Sequence, residues 1–257
     1  MRNSPLISYY ALALVLGCLL QFASPGYSAE PSKGTVLITG ANRGIGLALA
    51  EQFTERKFNV IGTARNTEKA QELKALGATV EQLDVTDQAS VDALKQRLNG
   101  QAIDILINNA GIVGHTSRAL ADLDIDKLSQ VYEVNALGPL RVIQALFANV
   151  ESSEQQLVIN ISSTMGSIER NTWGSTVGYR ASKAALNMIN KTMAVDYGKQ
   201  GLTFVVMHPG YVKTDMNAGE GQYTAEQSAA GLTEVISGLS HENNGMFFDH
   251  LGKELPW

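Results

Sequence analysis

The chain has 257 residues, a formal net charge of −5 and one cysteine. Its acidic balance and the lack of a basic cluster argue against a nucleic-acid partner and favour a small neutral or apolar one. The four histidines are scattered and no pair of His, Asp or Glu residues has metal-ligand spacing, so we expect no metal site.

The first predicted element is an apolar segment at the N-terminus. Arg2 supplies a lone positive charge, residues 6–23 are mostly apolar, and residues 24–29 are small or turn-forming. This pattern is typical of a secretory signal or a membrane anchor, and Cys18 also allows a lipoprotein. We therefore assign residues 1–33 to a signal or anchor segment with a short linker. The alternatives are an exported body, an anchored body that faces the cytoplasm, and a disordered extension.

Six short apolar runs follow, and they predict β-strands. Continuous apolar runs are typical of strands covered on both faces, which favours a parallel sheet between two helical layers. The runs are residues 35–38, 59–61, 79–83, 103–107, 157–161 and 202–207.

Helical periodicity separates these strands. Ile45, Leu49 and Phe53 recur at i, i+4 and i+8, and Thr86 or Asp87 can cap a later helix. Regular alternation of strands and helices predicts right-handed crossovers. Residues 34–257 are therefore expected to form one three-layer α/β/α domain with a Rossmann-like, doubly wound parallel sheet.

A glycine-rich turn joins the first strand to the first helix. Gly40, Gly44 and Gly46 let backbone amides approach a pyrophosphate at the positive end of a helix. The spacing predicts a dinucleotide site, although a plain tight turn has the same pattern.

A tyrosine and a lysine lie four residues apart farther along the chain. On a helix, Tyr179 and Lys183 share one face, so the Lys183 ammonium can favour the ionised phenol and make it a proton donor or acceptor near neutral pH. The same spacing also occurs on ordinary helices.

Several motifs in the same order resemble the short-chain dehydrogenase/reductase family, over nearly all of residues 34–257. Within that family, residues 171–174, 179–187, 208–216 and 249–257 are similar to the C-factor and sniffer-type carbonyl reductases. The motifs are the glycine turn, Asp84, Asn108-Asn-Ala-Gly111, Asn135, Ser163, Tyr179-x-x-x-Lys183 and Pro209-Gly210.

The choice of dinucleotide depends on charge. An NAD site usually has an acidic residue after the second strand, but here that strand ends in Gly62-Thr-Ala-Arg65. Arg43 and Arg65 could flank a 2′-phosphate, which favours NADP(H) over NAD(H). The alternative is that both arginines are solvated surface residues.

The resemblance implies the remaining cofactor contacts. Asp84 would accept a hydrogen bond from the adenine amino group, or else act as the N-cap of the next helix. The full set is Gly40, Asn42, Arg43, Gly44, Ile45, Gly46, Arg65, Asp84, Val85, Asn108, Ala110, Gly111, Tyr179, Lys183, Pro209, Gly210, Val212 and Thr214.

The resemblance also implies a catalytic tetrad. Tyr179 would donate its proton to the substrate oxygen, and Ser163 would hold that oxygen. Lys183 would lower the tyrosine pKa and bind the nicotinamide ribose, while Asn135 would hold a water that links Lys183 to solvent.

One departure from the family concerns the spacing before Tyr179. Ser163 precedes Tyr179 by three residues more than is usual in the family, which predicts a lengthened loop over residues 169–176. Ser162 and Ser167 are therefore alternative partners for Tyr179.

These features predict an oxidoreductase that reduces a small, hydrophobic aldehyde or ketone with NADP(H), or runs the reverse reaction. Loops 111–118, 165–175 and 211–221 would line the substrate side. The alternatives are an NAD(P)-binding sensor of the C-factor type and another NAD(P)-linked reaction such as epimerisation. The family also makes a homodimer or homotetramer plausible, and the N-terminus a possible membrane tether.

Overall fold

The structure, a computed structural model, describes Met1 and residues 32–114 and 116–257. The apolar N-terminal segment with Cys18, and His115, lie outside the described residues, so the predictions about them stay predictions. In the part of the chain that is described, no helix is both long and apolar enough to cross a bilayer.

Seven parallel strands form one sheet in the order β3-β2-β1-β4-β5-β6-β7. The chain winds outward from β1 to β3, then returns to pair β4 with the other side of β1. This reversal opens a crevice at the carboxyl ends of β1 and β4, where ligands bind in such sheets. The strands are β1 Thr35–Ile38, β2 Asn59–Ala64, β3 Thr79–Gln82, β4 Ile105–Asn108, β5 Leu157–Ile161, β6 Thr203–His208 and β7 Phe247–Asp249.

Helices cover both faces of the sheet, as predicted for a doubly wound fold. Helices α1, α2 and α7 pack on one face, whereas α3, α5 and α6 pack on the other. The helices are α1 Gly44–Glu55, α2 Gln71–Ala75, α3 Gln88–Arg97, α4 Ile125–Tyr132, α5 Gly138–Glu151, α6 Val177–Tyr197 and α7 Ala225–Ser237.

The core is divided by the sheet because successive strand residues point to opposite faces. Val36 and Ile38 pack with the α1 residue Phe53, while Leu37, between them, packs toward α3 and α5. All three β1 side chains are fully buried. The continuous apolar run of the sequence is thus explained by helices on both sides.

Two predictions about the strands are corrected. Strand β3 was expected to be covered on both faces, but it lies at the edge of the sheet and its residues remain partly exposed. Strand β7 was not predicted, because a three-residue strand is too short to show periodicity. It adds a parallel partner to β6.

Three buried asparagines connect the middle of the sheet to α6. Asn108 Nδ2 donates to Asn160 Oδ1 at 2.9 Å, and Asn160 Nδ2 donates to Asn190 Oδ1 at 2.8 Å. Asn190 Nδ2 then donates to the carbonyl of Phe204 in β6 at 3.3 Å. These bonds tie the carboxyl ends of β4 and β5 to the helix that carries Tyr179.

Replacing Asn160 by alanine should lower the free energy of unfolding by about 2–3 kcal/mol, because it leaves the Asn108 donor and the Asn190 acceptor buried without a partner. Urea denaturation followed by circular dichroism measures the change. The exposed Asn99→Ala is the matched control and should change stability by less than about 0.5 kcal/mol. Equal losses in the two variants would contradict a structural role for the asparagine chain.

Candidate active site

The β1–α1 loop has a backbone that only glycine fits. Gly40 and Gly44 have φ values of +66° and +56°, in the left-handed region. A Cβ on Gly46 would lie 2.6 Å from Asn109 Nδ2 and would also collide with the carbonyl of Gly40. The first turn of α1 therefore packs directly against the end of β1.

The N-terminus of α1 has the features of an anion site. Arg43 is the N-cap residue, its side chain makes no capping hydrogen bond, and the first turn contains no acidic residue. The amides of Gly44, Ile45 and Gly46 thus lack side-chain acceptors at the positive end of a twelve-residue helix, with Asn42 just before them. These residues fit the phosphates of a dinucleotide.

Thr39 and Asn109 hold this loop against the end of β4. Thr39 Oγ1 accepts hydrogen bonds from the amides of Asn109 and Ala110 at 3.0 and 3.1 Å. Asn109 Nδ2 donates to the carbonyls of Thr39 and Gly40. The sequence prediction did not assign this role to Thr39, although a hydroxyl just before the first glycine was the available signal.

Arg65 lies at the exposed end of β2, and no acidic residue follows it directly. The next residue, Asn66, uses its side chain to accept from the amide of Glu68. A concavity of about 400 Å³ begins beside Arg65 and extends toward α3. Its lining residues are Arg65, Gln82, Asp84, Asp87, Ser90, Ala93 and Arg97.

Asp84, after β3, is not the N-cap of α3. That cap is Asp87, whose Oδ1 accepts from the amide of Ala89 at 3.0 Å. Asp84 Oδ1 instead accepts from the amide and the hydroxyl of Thr86 at 2.9 and 2.7 Å. Burial raises the pKa of Asp84, but these hydrogen bonds and the charge of Arg65 outweigh it, so the net pKa is lowered. The neighbouring Val85 is buried.

The loop after β6 meets the glycine loop at an exposed edge. Arg43 Nη1 and Asp215 Oδ2 form an ion pair at 3.0 Å, with both side chains mostly exposed. A Cβ on Gly44 would lie 3.7 Å from Thr214 Cγ2. Because exposed ion pairs contribute little, the two loops are held together only weakly here.

Pro209 and Gly210 are held from below by buried side chains. The Pro209 carbonyl accepts from Ser228 Oγ at 2.6 Å, and a Cβ on Gly210 would lie 2.9 Å from His250 Cε1. Val212, next on this loop, is buried.

The histidines beneath this loop are neutral. Burial, followed by the charge of His250, lowers the pKa of His208 to about 4, and burial also lowers the pKa of His250. Within residues 32–114 and 116–257, no group of three or more His, Cys, Asp or Glu side chains could hold a metal ion.

Lys183 lies in α6 with its amine directed at the end of β5. Its Nζ donates to the carbonyl of Ile161 at 2.8 Å, and the side chain is almost fully buried. Burial lowers the pKa of Lys183 to about 8. A Cβ on Gly111 would lie 3.7 Å from this Nζ and 3.3 Å from Asn135 Oδ1. Gly111, Asn135 and Lys183 therefore converge.

Tyr179 shares the α6 face with Lys183, whose Nζ is 5.8 Å from the centre of the phenol ring. Burial raises the pKa of Tyr179 to about 12, and the neighbouring Ser163 hydroxyl only partly opposes this rise. Lys183 is not among the groups that shift the Tyr179 pKa here, since its amine is itself desolvated and bonded to Ile161, and its predicted effect on the phenol stays a prediction. The phenol stays protonated.

Ser163 is the serine that the structure brings next to Tyr179. Its Oγ accepts from the amide of Met165 at 3.1 Å, which leaves its O–H free to donate. Of the alternatives, Ser162 Oγ donates to Asn187 Oδ1 at 2.7 Å, and Ser167 is fully buried. The geometry favours Ser163 for the predicted role.

Asn135 lies in a π-helical segment, Glu133–Leu137, that joins α4 to α5. Its Oδ1 accepts from the amide of Ile112 at 2.9 Å, and its Nδ2 donates to the Ile112 carbonyl and to Ser182 Oγ. Both amide hydrogens are thus used. The predicted water relay stays a prediction. A water held by Asn135 would have to donate a hydrogen bond to its backbone or side-chain carbonyl oxygen.

The lengthened loop before α6 has an unusual backbone. Gly174, Ser175 and Thr176 all have left-handed φ values, of 63°, 71° and 48°. Two of these residues are not glycine, and a β-branched threonine is especially disfavoured there. Arg180 supports the strained turn, since its Nε donates to the carbonyls of Gly174 and Ser175 at 2.9 and 3.1 Å. The sequence prediction missed Arg180, which no spacing rule marks.

The predicted residues thus form one continuous site along the carboxyl ends of the strands. The glycine loop contacts the ends of β4 and β6, and the tetrad lies beside the end of β5. Arg65 and Asp84 lie farther out, at β2 and β3. Such a sheet, with a dinucleotide-type loop, buried Ser163, Lys183 and Asn135 and a half-buried Tyr179, is the arrangement of a nucleotide-dependent oxidoreductase.

The chain belongs to the short chain dehydrogenase family, whose model matches residues 34–224. It is 42% identical to the C-signal of Myxococcus xanthus over 155 residues, which cover 60% of this chain and 93% of that protein. The resemblance to the C-factor branch is confirmed by this match.

Solved carbonyl reductases have the same fold. The NADPH-bound carbonyl reductase from chicken fatty liver is 34% identical, with a TM-score of 0.79, and the match covers 87% of this chain and 98% of that one. The carbonyl reductase Sniffer of D. melanogaster is 31% identical, with a TM-score of 0.81 over 87% and 99% of the two chains. The protein is therefore an oxidoreductase of this family.

The buried amine of Lys183 should make stability depend on pH. Its pKa falls from 10.5 to about 8 on folding, so between these values the unfolded chain binds more protons and stability rises with pH. Above pH 10 the raised pKa of Tyr179 acts in the opposite direction, which sets the useful window at pH 7 to 10.

Lys183→Met removes the buried amine, so the variant should lose this pH dependence. Its free energy of unfolding relative to the native protein should fall by about 2 kcal/mol between pH 7 and pH 10. Urea titrations at each pH measure the difference, and the exposed Lys199→Met is the control. A difference that does not vary with pH would show that Lys183 is not desolvated.

Proposed function

We propose that the protein is an NADP(H)-dependent carbonyl reductase, which reduces an aldehyde or ketone to an alcohol. The observation that carries this proposal is the position of the Tyr179 phenol, beside Ser163 and on the same helix face as Lys183. This arrangement lies next to a glycine loop suited to a dinucleotide. A proton donor beside a bound nicotinamide is what carbonyl reduction requires.

The charges around the loop support NADP(H). The amides of α1 can hold the phosphates, and Arg43 and Arg65 are the cations available to a 2′-phosphate, with no acidic residue at the end of β2. The carbonyl reductase from chicken, which is 34% identical, was solved with NADPH bound.

The cofactor, when bound, supplies the hydride. Tyr179 donates its phenolic proton to the substrate oxygen, and the Ser163 hydroxyl holds that oxygen by a hydrogen bond. Lys183 binds the ribose and returns a proton to Tyr179. With a pKa of about 8, its amine can both lose and regain a proton near neutral pH.

Burial raises the pKa of Tyr179 to about 12, so the phenol is protonated in the neutral range, which is the form that donates to a carbonyl oxygen.

A second candidate function is signalling, in which NAD(P) occupancy matters more than turnover. The 42% identity to the C-signal of Myxococcus xanthus supports it. The two functions are separated by turnover, because a sensor would bind NADPH without reducing any carbonyl.

The placement of the protein remains a proposal. We propose that residues 1–33 are a signal or anchor segment and that an anchored body faces the cytoplasm, where nicotinamide dinucleotides are abundant. We also propose a homodimer or homotetramer. Ile125, Met188 and Val195, on α4 and α6, are exposed apolar side chains that such an interface could cover.

Tyr179→Phe tests the proton donor. The substitution removes only the hydroxyl, so kcat for carbonyl reduction should fall by about 10²–10⁴-fold while NADPH binding is kept. Nicotinamide absorbance with a panel of aldehydes and ketones measures turnover, and fluorescence titration measures cofactor binding. Turnover at the native rate in this variant would rule out Tyr179 as the donor.

Arg43→Ala and Arg65→Ala test the cofactor choice. Each arginine lost from a 2′-phosphate should raise the Kd for NADPH by about 10–100-fold, with a much smaller effect on NADH. Arg56→Ala, at the far end of α1, removes the same charge and serves as the control. Equal losses for NADPH and NADH would contradict the 2′-phosphate assignment.

A further inference from the structure

Two arginines and a tryptophan meet where the predicted substrate loops approach each other. The guanidinium of Arg180 lies 4.3 Å from the centre of the Trp173 ring, and that of Arg118 lies 6.0 Å from it. Both distances fall in the range of cation–π contacts. Arg118 belongs to the loop after β4 and Trp173 to the lengthened loop, so the cluster joins the two sides of the site.

A single residue, Met165, links the cluster to Ser163. Met165 donates its amide to Ser163 Oγ at 3.1 Å, and its carbonyl accepts from Arg180 Nη1 at 3.4 Å. Arg180 also directly follows Tyr179 in α6. A molecule whose carbonyl is held by Ser163 and Tyr179 can therefore extend toward Trp173 and Arg118.

The positive charges of the cluster are not balanced. In the described part of the chain, neither guanidinium forms an ion pair with a carboxylate. Arg180 is 7% exposed, and its Nη2 has no hydrogen-bond partner among the described residues. Burial lowers the pKa of Arg180, and the charge of Arg118 lowers it further, with no acidic group acting in the other direction.

An unbalanced buried cation is costly unless something compensates it. Backbone carbonyls satisfy part of Arg180, but they carry no net charge. The Arg118 guanidinium is exposed and can offer two parallel N–H groups to a planar carboxylate. Trp173 is in contact range of both cations and is 55% exposed, so its open surface suits an apolar or aromatic body.

We propose that the substrate is an aldehyde or ketone that carries a carboxylate at its far end, with Arg118 binding that carboxylate and the nearby Arg180 adding its charge. This proposal rests on the proposed function and deepens it. The apolar loops predict a hydrophobic substrate, and the cluster adds an anionic end to it.

The test compares two aldehydes that share the same ring and formyl group, the anion 4-formylbenzoate and its neutral methyl ester. With NADPH, the ratio of kcat/KM for the acid to that for the ester should exceed one in the native protein. One bidentate contact to a charged group corresponds to about a tenfold effect, so Arg118→Ala should lower this ratio about tenfold. Arg118→Glu should bring it below one.

The control for net charge is Arg56→Ala, which should leave the ratio unchanged. Raising the ionic strength should lower the ratio in the native protein but not in Arg118→Ala. A native ratio of one or less, or a ratio that Arg118→Ala does not change, overturns the proposal.

Binding gives a readout that does not depend on turnover. The chain has two tryptophans, so in a Trp257→Phe variant the fluorescence reports on Trp173 alone. Titration with and without NADP⁺ should show tighter binding of the acid than of the ester, and Arg118→Ala should abolish the difference. Equal binding overturns the anion site, whereas preferential binding of the acid without reduction of either aldehyde supports it and instead contradicts the proposed reductase.

Discussion

Hydrogen bonds between buried polar groups hold the carboxyl ends of the central strands together, and the arrangement of the site depends on them. Thr39 and Asn109 join the ends of β1 and β4, and Asn108 begins the asparagine chain that reaches α6. A buried polar group without a partner costs about 1–3 kcal/mol, so each residue holds the next in one position. The glycine loop and the tyrosine helix are placed relative to each other by these bonds.

Burial also determines the chemistry of the side chains in the site. The same loss of water that lowers the pKa of Lys183 raises the pKa of Tyr179, because both neutral forms are favoured in a dry environment. The result is a protonated phenol beside an amine that can exchange a proton near neutral pH. Neither property requires the two groups to form a direct ion pair.

The strained backbone of the lengthened loop is supported by a side chain of α6. Its turn has three successive left-handed residues, which would not persist without support. Arg180 supplies that support through the carbonyls of Gly174 and Ser175. Because Arg180 is adjacent to Tyr179 in α6, the loop is anchored to the same helix that carries Tyr179.

The sequence by itself determined the class of fold, and it predicted the central residues of the site, since both depend on local patterns. Apolar runs separated by helical periodicity predicted the parallel sheet, which the family match and the topology confirm. The glycine spacing predicted the β1–α1 turn because a left-handed backbone selects glycine. The short edge strand β7 was not predicted, because three residues are too few to show a periodicity.

Only the tertiary structure decided what depends on contacts between distant residues. It showed that Asp87, and not Asp84, caps α3. It also distinguished Ser163 from Ser162, because the Ser162 hydroxyl is already bonded to Asn187 whereas the Ser163 O–H is free to donate. It also showed that Lys183 bonds to the carbonyl of Ile161, and that burial raises the pKa of Tyr179. Desolvation and partner choice arise from how elements pack, so spacing along the chain could not reveal them.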